Sequence, residues 1–334
     1  MDQLSAHLDR GWDLAQRGDT RGAESSARRA LEIQPDSPEA HNLLGFCAAL
    51  EGDCEEAIEA YQQAIFLDET YVEAMLNAAE LLVHPMAKYD EAVNMCDQVL
   101  DVSDYQDEIV DALLLKFEAM MAQGETEQAH KVLSSLPDGP YENGAHCYLA
   151  GRAHFELGKL DGAQRLIEAA LQKEPRNADA HYYAALLCEE RGDRHGACAE
   201  FLQTRQLELE MGMPPWAPDG ESFLRFTEKA VGALEPELQS FLRRAEVYVA
   251  DLPGPEVVVD GVDPRTLVLV DAASLGPNNS ETVNPEHVSL RVFLYAINVM
   301  RSAGSLQGVE AAIADALRIE LCGALDDLRR DLSK

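Results

Sequence analysis

Two groups of side chains in this sequence are of types that could do chemistry. The first comprises four possible zinc ligands within 18 residues, His181, Cys188, His195 and Cys198, and zinc is bound by four such groups that converge in a tetrahedron. The second lies in the amphipathic stretch ALRIELCGALDDL near the C-terminus, where Glu320 could take a proton from a metal-bound water if metal ligands stood beside it. What either group can do depends on the elements that position it.

The bulk composition indicates a folded chain of about two domains. With 334 residues and 46% hydrophobic residues, each half could bury a core of its own. The first residues lack the basic start and apolar core of a secretory signal, and no apolar run approaches the roughly 20 residues that span a bilayer. The seven cysteines form no CxxC pair and are odd in number, which is typical of a reducing compartment. The sequence therefore predicts a cytoplasmic protein without membrane insertion.

A period of 34 residues runs through the N-terminal part of the chain. The hexapeptides GDTRGA, GDCEEA, GETEQA, GKLDGA and GDRHGA begin at Gly18, Gly52, Gly124, Gly158 and Gly192. Successive starts are 34 residues apart except for one gap of 72 residues, in which the degenerate segment HPMAKYDEA leads to Ala92. Self-similarity at this period is typical of a solenoid built from stacked helix pairs.

This pattern resembles the tetratricopeptide repeat, a pair of antiparallel helices A and B. The helices approach closely only where side chains are small, and small residues recur at Gly11, Gly45, Ala79 and Gly151 in helix A and at Ala23, Ala57, Ala129, Ala163 and Ala197 in helix B. The glycine between the helices ends helix A in the left-handed conformation. The resemblance implies a mainly α fold, a right-handed helical solenoid of about six repeats with units near 4–37, 38–71, 72–109, 110–143, 144–177 and 178–211.

The repeats give the first group of possible ligands another role. His181 and Cys188 occupy the fourth and eleventh positions of helix A in the sixth unit, and the fifth unit has Cys147 and His154 at the same positions. These positions pack inward in every unit of such a solenoid. We therefore expect the side chains to be packing residues, and the sequence predicts no metal ion and no other cofactor.

The resemblance also implies a ligand groove on the A helices. In this family the groove is lined mainly by the second, fifth, ninth and twelfth positions of helix A. In this sequence those positions are Glu39, Asn42 and Phe46 in the second unit, Glu73, Leu76 and Glu80 in the third, Asp111, Leu114, Glu118 and Met121 in the fourth, Tyr148, Arg152 and Phe155 in the fifth, and Asp179, Tyr182, Leu186 and Glu189 in the sixth.

Charge narrows the choice of partner. The formal net charge is −33, which disfavours binding to nucleic acid and to anionic membranes and attracts basic partners. Between Glu51 and Glu127 there are 20 acidic residues and two basic ones, so we expect a protein partner with a basic or amphipathic segment. The fifth positions contain no lysine, although lysine holds the acidic C-terminal tail of heat-shock chaperones in related repeats, so those tails are not expected to bind.

The remaining third of the chain predicts a small α+β domain. Pro214, Pro215 and Pro218 interrupt any helix, which places a linker at 212–220 between the solenoid, 1–211, and a second domain, 221–334. Two helical stretches, SFLRFTEKAVGAL and PELQSFLRRA, are followed by three strand-like segments, EVYVADLP, RTLVLVDAA and HVSLRVFLY. Apolar residues at helical spacing then predict an amphipathic helix over 308–331.

This domain resembles the minimal zincin-like metallopeptidase family. The resemblance rests on FLRFTEKAVGAL, on a strand ending in VADLP, and on GVDPRTLVL and VFLYAINVM, and it covers roughly residues 220–330. In that family the next helix carries HExxHxxGxxD, whose two histidines bind zinc from adjacent turns. With Glu320 aligned to the family glutamate, Ile319 and Gly323 stand at the histidine positions. The resemblance therefore implies a domain that has lost its catalytic residues.

These patterns favour a protein–protein adaptor, not an enzyme, with an acidic groove and an inactive metallopeptidase-like domain. That domain could be a second docking surface or a cap on the last repeat, which solenoids require for solubility. One alternative is a zinc metallopeptidase with atypical ligands drawn from His287, Glu320 and Cys322. Another is a secretion or assembly chaperone whose repeats hold a basic, amphipathic client soluble.

Overall fold

The computed structural model describes residues 3–243, 245–274 and 288–332. The chain divides into two compact units, Met1–Pro175 and Arg176–Lys334. His287, one of the ligands considered for an atypical zinc site, lies outside the described residues. Among the residues that are described, no helix combines the length and the apolar composition that crossing a bilayer requires.

The first unit consists of five helical hairpins. Each hairpin joins an A helix to an antiparallel B helix, and the pairs are α1 Gln3–Gln16 with α2 Thr20–Ile33, α3 Pro38–Glu51 with α4 Cys54–Leu67, α5 Val72–Val83 with α6 Tyr89–Val102, α7 Gln106–Ala122 with α8 Thr126–Ser135, and α9 Gly144–Glu156 with α10 Leu160–Lys173. Alanines at the predicted B-helix positions are fully buried at Ala23, Ala57, Ala129 and Ala163. Small residues therefore lie where the helices of each hairpin meet.

Local capping explains where these helices begin and end. Gly52 lies just after α3 with φ of 83°, in the left-handed region that favours glycine. The next residue, Asp53, begins α4 by accepting a hydrogen bond from the backbone N–H of Glu56 at 3.1 Å. In the third hairpin, where the sequence lacks the glycine, Ala87 takes up the left-handed conformation with φ of 52°.

The second unit begins with one more hairpin and continues into a mixed sheet. α11 Ala178–Glu190 and α12 Arg194–Met211 form the sixth hairpin, and α13 Gly220–Ala233 and α14 Pro236–Leu242 follow. The strands are β1 Ala245–Ala250, β2 Val268–Ser274 and β3 Val288–Tyr295, with α15 Pro255–Val259 after β1, and α16 Ala296–Ala303 and α17 Val309–Leu332 after β3. These strands and α17 coincide with the segments predicted from the sequence.

The sheet has the strand order β1-β3-β2. β1 pairs with β3 in parallel and β2 pairs with β3 antiparallel. One core, which includes Leu294, Ile313 and Leu321, is buried between the sheet and the helices. Strand β1 lies at the edge of the sheet, and its side chains from Glu246 to Ala250 are all exposed.

The compact units divide at Pro175, whereas the sequence places a linker at 212–220. The physical reason is that the sixth hairpin packs against the C-terminal segments. Val258 of α15 is 2% exposed and lies in one apolar cluster with Ala185, Ala197 and Phe201 of that hairpin. Within the second unit, residues from the C-terminal third of the chain therefore cover an apolar face of the sixth hairpin.

Candidate functional site

Three A helices of the first unit line a pocket of about 320 Å³. Its walls come from α5, α7 and α9, and the lining residues are Glu73, Leu76, Asn77, Glu80, Asp111, Leu114, Leu115, Glu118 and Leu149. The structure thus brings together six of the predicted groove residues, three from α5 and three from α7. Four carboxylates and a leucine wall share this pocket, which we call the acidic groove.

One position of helix A that was not among the predicted groove positions also lines the acidic groove. Asn77, Leu115 and Leu149 are each the sixth residue of their repeat unit, counted from residues 72, 110 and 144. A helix face repeats at spacings of three and four residues, so Glu73, Leu76, Asn77 and Glu80 form one continuous stripe. This spacing was a signal in the sequence that could have identified the sixth position.

Two of the four carboxylates in the acidic groove already have cationic partners. Glu118 forms an ion pair with the guanidinium of Arg152 and lies 2.8 Å from Nε2 of His84. Asp111 lies 2.8 Å from Nε2 of the buried His146. This hydrogen bond with Asp111 raises the pKa of His146 above its ordinary 6.5, and the nearby Asp107 adds to the effect.

The other two carboxylates, Glu73 and Glu80, are exposed. Glu73 accepts a long hydrogen bond of 3.4 Å from the Tyr71 hydroxyl. The side chain of Glu80 has no hydrogen bond or ion pair to any residue that the structure describes. Both carboxylates are available to a cation on a ligand that rests against Leu76 and Leu114.

The remaining predicted residues of the first unit lie outside the lining of this pocket. Asn42 is buried and donates to the Tyr71 hydroxyl at 3.2 Å, so it orders the second and third hairpins. The Phe46 ring packs on Trp12 with ring centroids 5.2 Å apart. The predicted groove residues Met121 of α7 and Tyr148 and Phe155 of α9 are half-buried.

In the second unit, two predicted groove residues of the sixth hairpin hold an arginine of the same chain. The Arg265 guanidinium lies 4.2 Å from the centre of the Tyr182 ring and donates to Asp179 at 2.5 Å. The Tyr182 hydroxyl donates to Asp263 at 2.7 Å. Glu189, the last predicted position, is exposed. A basic side chain is thus already bound at this hairpin, by an acid and an aromatic face together.

A buried glutamate anchors this arrangement. Glu208 of α12 is 0% exposed, and its carboxylate accepts from Nε of Arg265 at 2.9 Å. The same carboxylate forms a second ion pair with Arg301 of α16. Because burial of an unpaired carboxylate is strongly unfavourable, these two arginines are what allow Glu208 to lie in the interior of the second unit.

The possible zinc ligands of the sixth hairpin are spread over different surroundings. Nδ1 of His181 lies 2.6 Å from Glu200, His195 is exposed, and Cys188 and Cys198 are half-buried. Within the described part of the chain, no group of three or more histidine, cysteine, aspartate or glutamate side chains is placed to hold a metal ion.

The residues aligned with the zincin motif lie on α17. Ile319 is 71% exposed, Gly323 is exposed and Glu320 is half-buried. Ile319 and Glu320 line a pocket of about 560 Å³ with Leu267, Ala312 and other residues. Burial raises the pKa of Glu320 above its ordinary value. An isoleucine and a glycine offer no atom that binds zinc, so these positions cannot supply the histidine ligands of the motif.

Comparison with known families identifies the repeated part of the chain. The family model for the tetratricopeptide repeat matches residues 8–82 and 148–204. A solved structure, described as the functional characterization of Pseudomonas aeruginosa pilF, is similar over 61% of this chain and 91% of that chain, with 20% identity and a TM-score of 0.54. The helical hairpins within residues 8–82 and 148–204 therefore match the tetratricopeptide repeat, and the solved structure shows that the fold is the same kind of helical array.

Two curated relatives are components of larger assemblies by name. The BBSome complex member bbs-4 of Caenorhabditis elegans is 23% identical over 191 residues, which are 57% of this chain and 40% of that protein. Superkiller complex protein 3 of Mus musculus is 32% identical over 132 residues, or 38% of this chain and 8% of that protein. The chain thus spans less than half the length of either relative.

Proposed function

We propose that this protein is a non-catalytic adaptor that binds a basic segment of another protein in the acidic groove. The observation that carries the proposal is the pocket in which Glu73 and Glu80 stand exposed over Leu76 and Leu114. Lysine or arginine side chains of the partner pair with the carboxylates, and its apolar side chains rest on the leucines. Paired charges fix orientation and speed association, while apolar contact supplies the larger part of the affinity.

The names of similar proteins are compatible with this role. A member of the BBSome complex and a protein of the superkiller complex both work within assemblies. For this chain we propose the same kind of work, joining proteins without modifying them. The compartment remains the one predicted from the cysteine content, the cytoplasm.

The test is a titration of the full chain with a fluorescent, extended peptide in which lysines alternate with leucines. In the variant Glu73→Gln/Glu80→Gln, we expect the Kd to rise about tenfold, since two charge pairs at an interface contribute on the order of 1.4 kcal/mol. The control variant Glu55→Gln/Glu59→Gln removes two exposed carboxylates of α4 outside the groove. We expect it to change the Kd less than twofold. Equal losses in the two variants would show that only bulk charge attracts the peptide, and would overturn the proposal.

We propose that the C-terminal third is an inactive, zincin-like domain and that it caps the sixth hairpin. The cap is supported by Val258 and Arg265, which occupy the sixth hairpin where a further repeat would stack. Removal of residues 212–334 is expected to expose this apolar face and make the remaining repeats self-associate. Sedimentation velocity measures that change directly. A truncated chain that stays monomeric at the concentration of the full chain would contradict the cap.

A further inference from the structure

A second pocket lies on the B helices of the second and third hairpins, and it shares no lining residue with the acidic groove. It has a volume of about 480 Å³ and lies between α4 and α6. Its lining includes the apolar Ile65, Phe66, Met95 and Val102 and the acidic Glu69 and Asp101. We call it the outer pocket. Phe66 is 78% exposed beside it, and Val102 is 40% exposed.

The repeat itself gives no structural reason for a phenylalanine at position 66. Phe66 stands nine residues after the repeat alanine, Ala57, and the same position in the other B helices is polar: Glu32, Asp101, Gln172 and Gln206. Each of those four side chains is exposed. A position that carries a solvated polar side chain in four other B helices carries a large aromatic ring in this one. The ring therefore adds an apolar contact surface that the fold does not use.

Charge identifies the kind of molecule that covers the outer pocket. Its two charged lining residues, Glu69 and Asp101, are both acidic, and they belong to the stretch with 20 acidic and two basic residues. A second copy of this chain is disfavoured, because like charges would face each other across the contact. A partner that carries a cation beside an apolar side chain complements both the acidic charge and the apolar lining of the pocket.

We infer that the outer pocket binds a basic amphipathic helix of a partner protein, with one large apolar side chain inserted against Phe66 and Met95. Lysine or arginine residues one turn away on that helix pair with Glu69 and Asp101. Helices that place apolar anchors at spacings of three and four residues bind apolar grooves in this manner. The site shares no lining residue with the acidic groove, so the chain can hold two partner segments, or two parts of one partner, at the two pockets.

The experiment compares two synthetic helical peptides on the full chain by fluorescence anisotropy. One peptide has lysines and leucines on opposite faces, and in the other every leucine is replaced by alanine. The decisive variant is Phe66→Gln, which installs the residue found at the equivalent positions Gln172 and Gln206 and so preserves the fold. The control is Tyr105→Gln, since Tyr105 is 74% exposed but does not line the pocket. All proteins also carry Glu73→Gln/Glu80→Gln, which weakens the acidic groove and isolates the outer pocket.

For the leucine-bearing peptide, Phe66→Gln is expected to raise the Kd about tenfold, as truncation of a central aromatic contact does at interfaces. Tyr105→Gln is expected to leave the Kd within twofold, and the alanine peptide is expected to bind weakly to every variant. An unchanged Kd in Phe66→Gln overturns the inference. So does an equal loss with the alanine peptide. If Phe66→Gln instead converts a dimer into a monomer in sedimentation experiments, a second copy covers the pocket and the inference is also overturned. None of these outcomes bears on the acidic groove, which has its own test above.

Discussion

The acidic groove and the sixth hairpin both present acidic side chains, but these side chains are exposed in the groove and paired with arginine in the hairpin. In the acidic groove, Glu73 and Glu80 are exposed, and Arg152 pairs with Glu118. In the sixth hairpin, Arg265 pairs with both Asp179 and the buried Glu208. The Arg265 guanidinium also stacks on the Tyr182 ring. The difference teaches that an acidic side chain on a hairpin stays open to a partner where the chain itself does not place a cation beside it.

Of the substitutions that test this difference, Glu208→Gln is expected to have the largest effect, a loss of unfolding free energy. This change leaves Arg265 and Arg301 beside a neutral amide, and breaking a buried ion pair costs about 3 kcal/mol of unfolding free energy. The control is Glu210→Gln on the same helix, because Glu210 forms an exposed pair with Arg176 at 2.5 Å and such pairs contribute at most about 1 kcal/mol. Urea unfolding followed by circular dichroism measures both. If Glu208→Gln is no more damaging than its control, the arginines do not anchor the second unit.

A smaller effect is expected when Glu118 of the acidic groove loses its arginine partner. Arg152→Ala removes the guanidinium from Glu118 and leaves His84 beside it, so the carboxylate becomes more accessible to a cation of a ligand. The alternating lysine–leucine peptide should then bind about three- to fivefold more tightly, which corresponds to the roughly 0.5–1 kcal/mol of one partly exposed charge pair. The matched variant Arg28→Ala breaks an exposed pair with Glu24 on α2 and should leave the affinity unchanged. Weaker binding by Arg152→Ala would mean that the arginine contacts the ligand itself.

The smallest expected effect concerns pH. Because the folded-state pKa of His146 is raised above 6.5 by Asp111, the charged pair adds stability that is fully present below pH 6.5 and is lost as the pH rises through the folded pKa. The destabilisation caused by His146→Gln should therefore be larger at pH 5.5 than at pH 8.5. His130→Gln, which changes an exposed histidine, serves as the comparison. A destabilisation independent of pH would assign His146 a packing role only.

Features set by local sequence were predictable. The glycine and alanine of each repeat predicted the hairpins, because a left-handed turn and a close helix contact each demand a particular residue type at a fixed position. The resemblance to the repeat family also implied six groove residues on α5 and α7, and these six line one pocket. The sixth position of helix A was not predicted, because only the groove positions known from the family were considered. The residue next to the fifth position, which lies on the same helix face, was left out.

Contacts between distant segments were not predictable. Arg265 lies 57 residues from Glu208 and 86 from Asp179 along the chain, and no periodic pattern links such residues. The sequence therefore placed a linker at 212–220 without showing that Val258 and Arg265 fold back on the sixth hairpin. Pairing of charges decides whether Asp179 and Tyr182 can face a partner, and pairing is a property of the folded chain.

The exposed edge strand β1 has a consequence for handling the protein in solution. Its side chains from Glu246 to Ala250 are solvated, and an edge strand offers backbone donors and acceptors that can template pairing with another chain. At neutral pH the net charge of −33 keeps molecules apart. Near the isoelectric point of about 4.5 that repulsion vanishes and β1 becomes a nucleus for precipitation. We therefore expect the solubility of the protein to fall near this pH even where the fold itself persists.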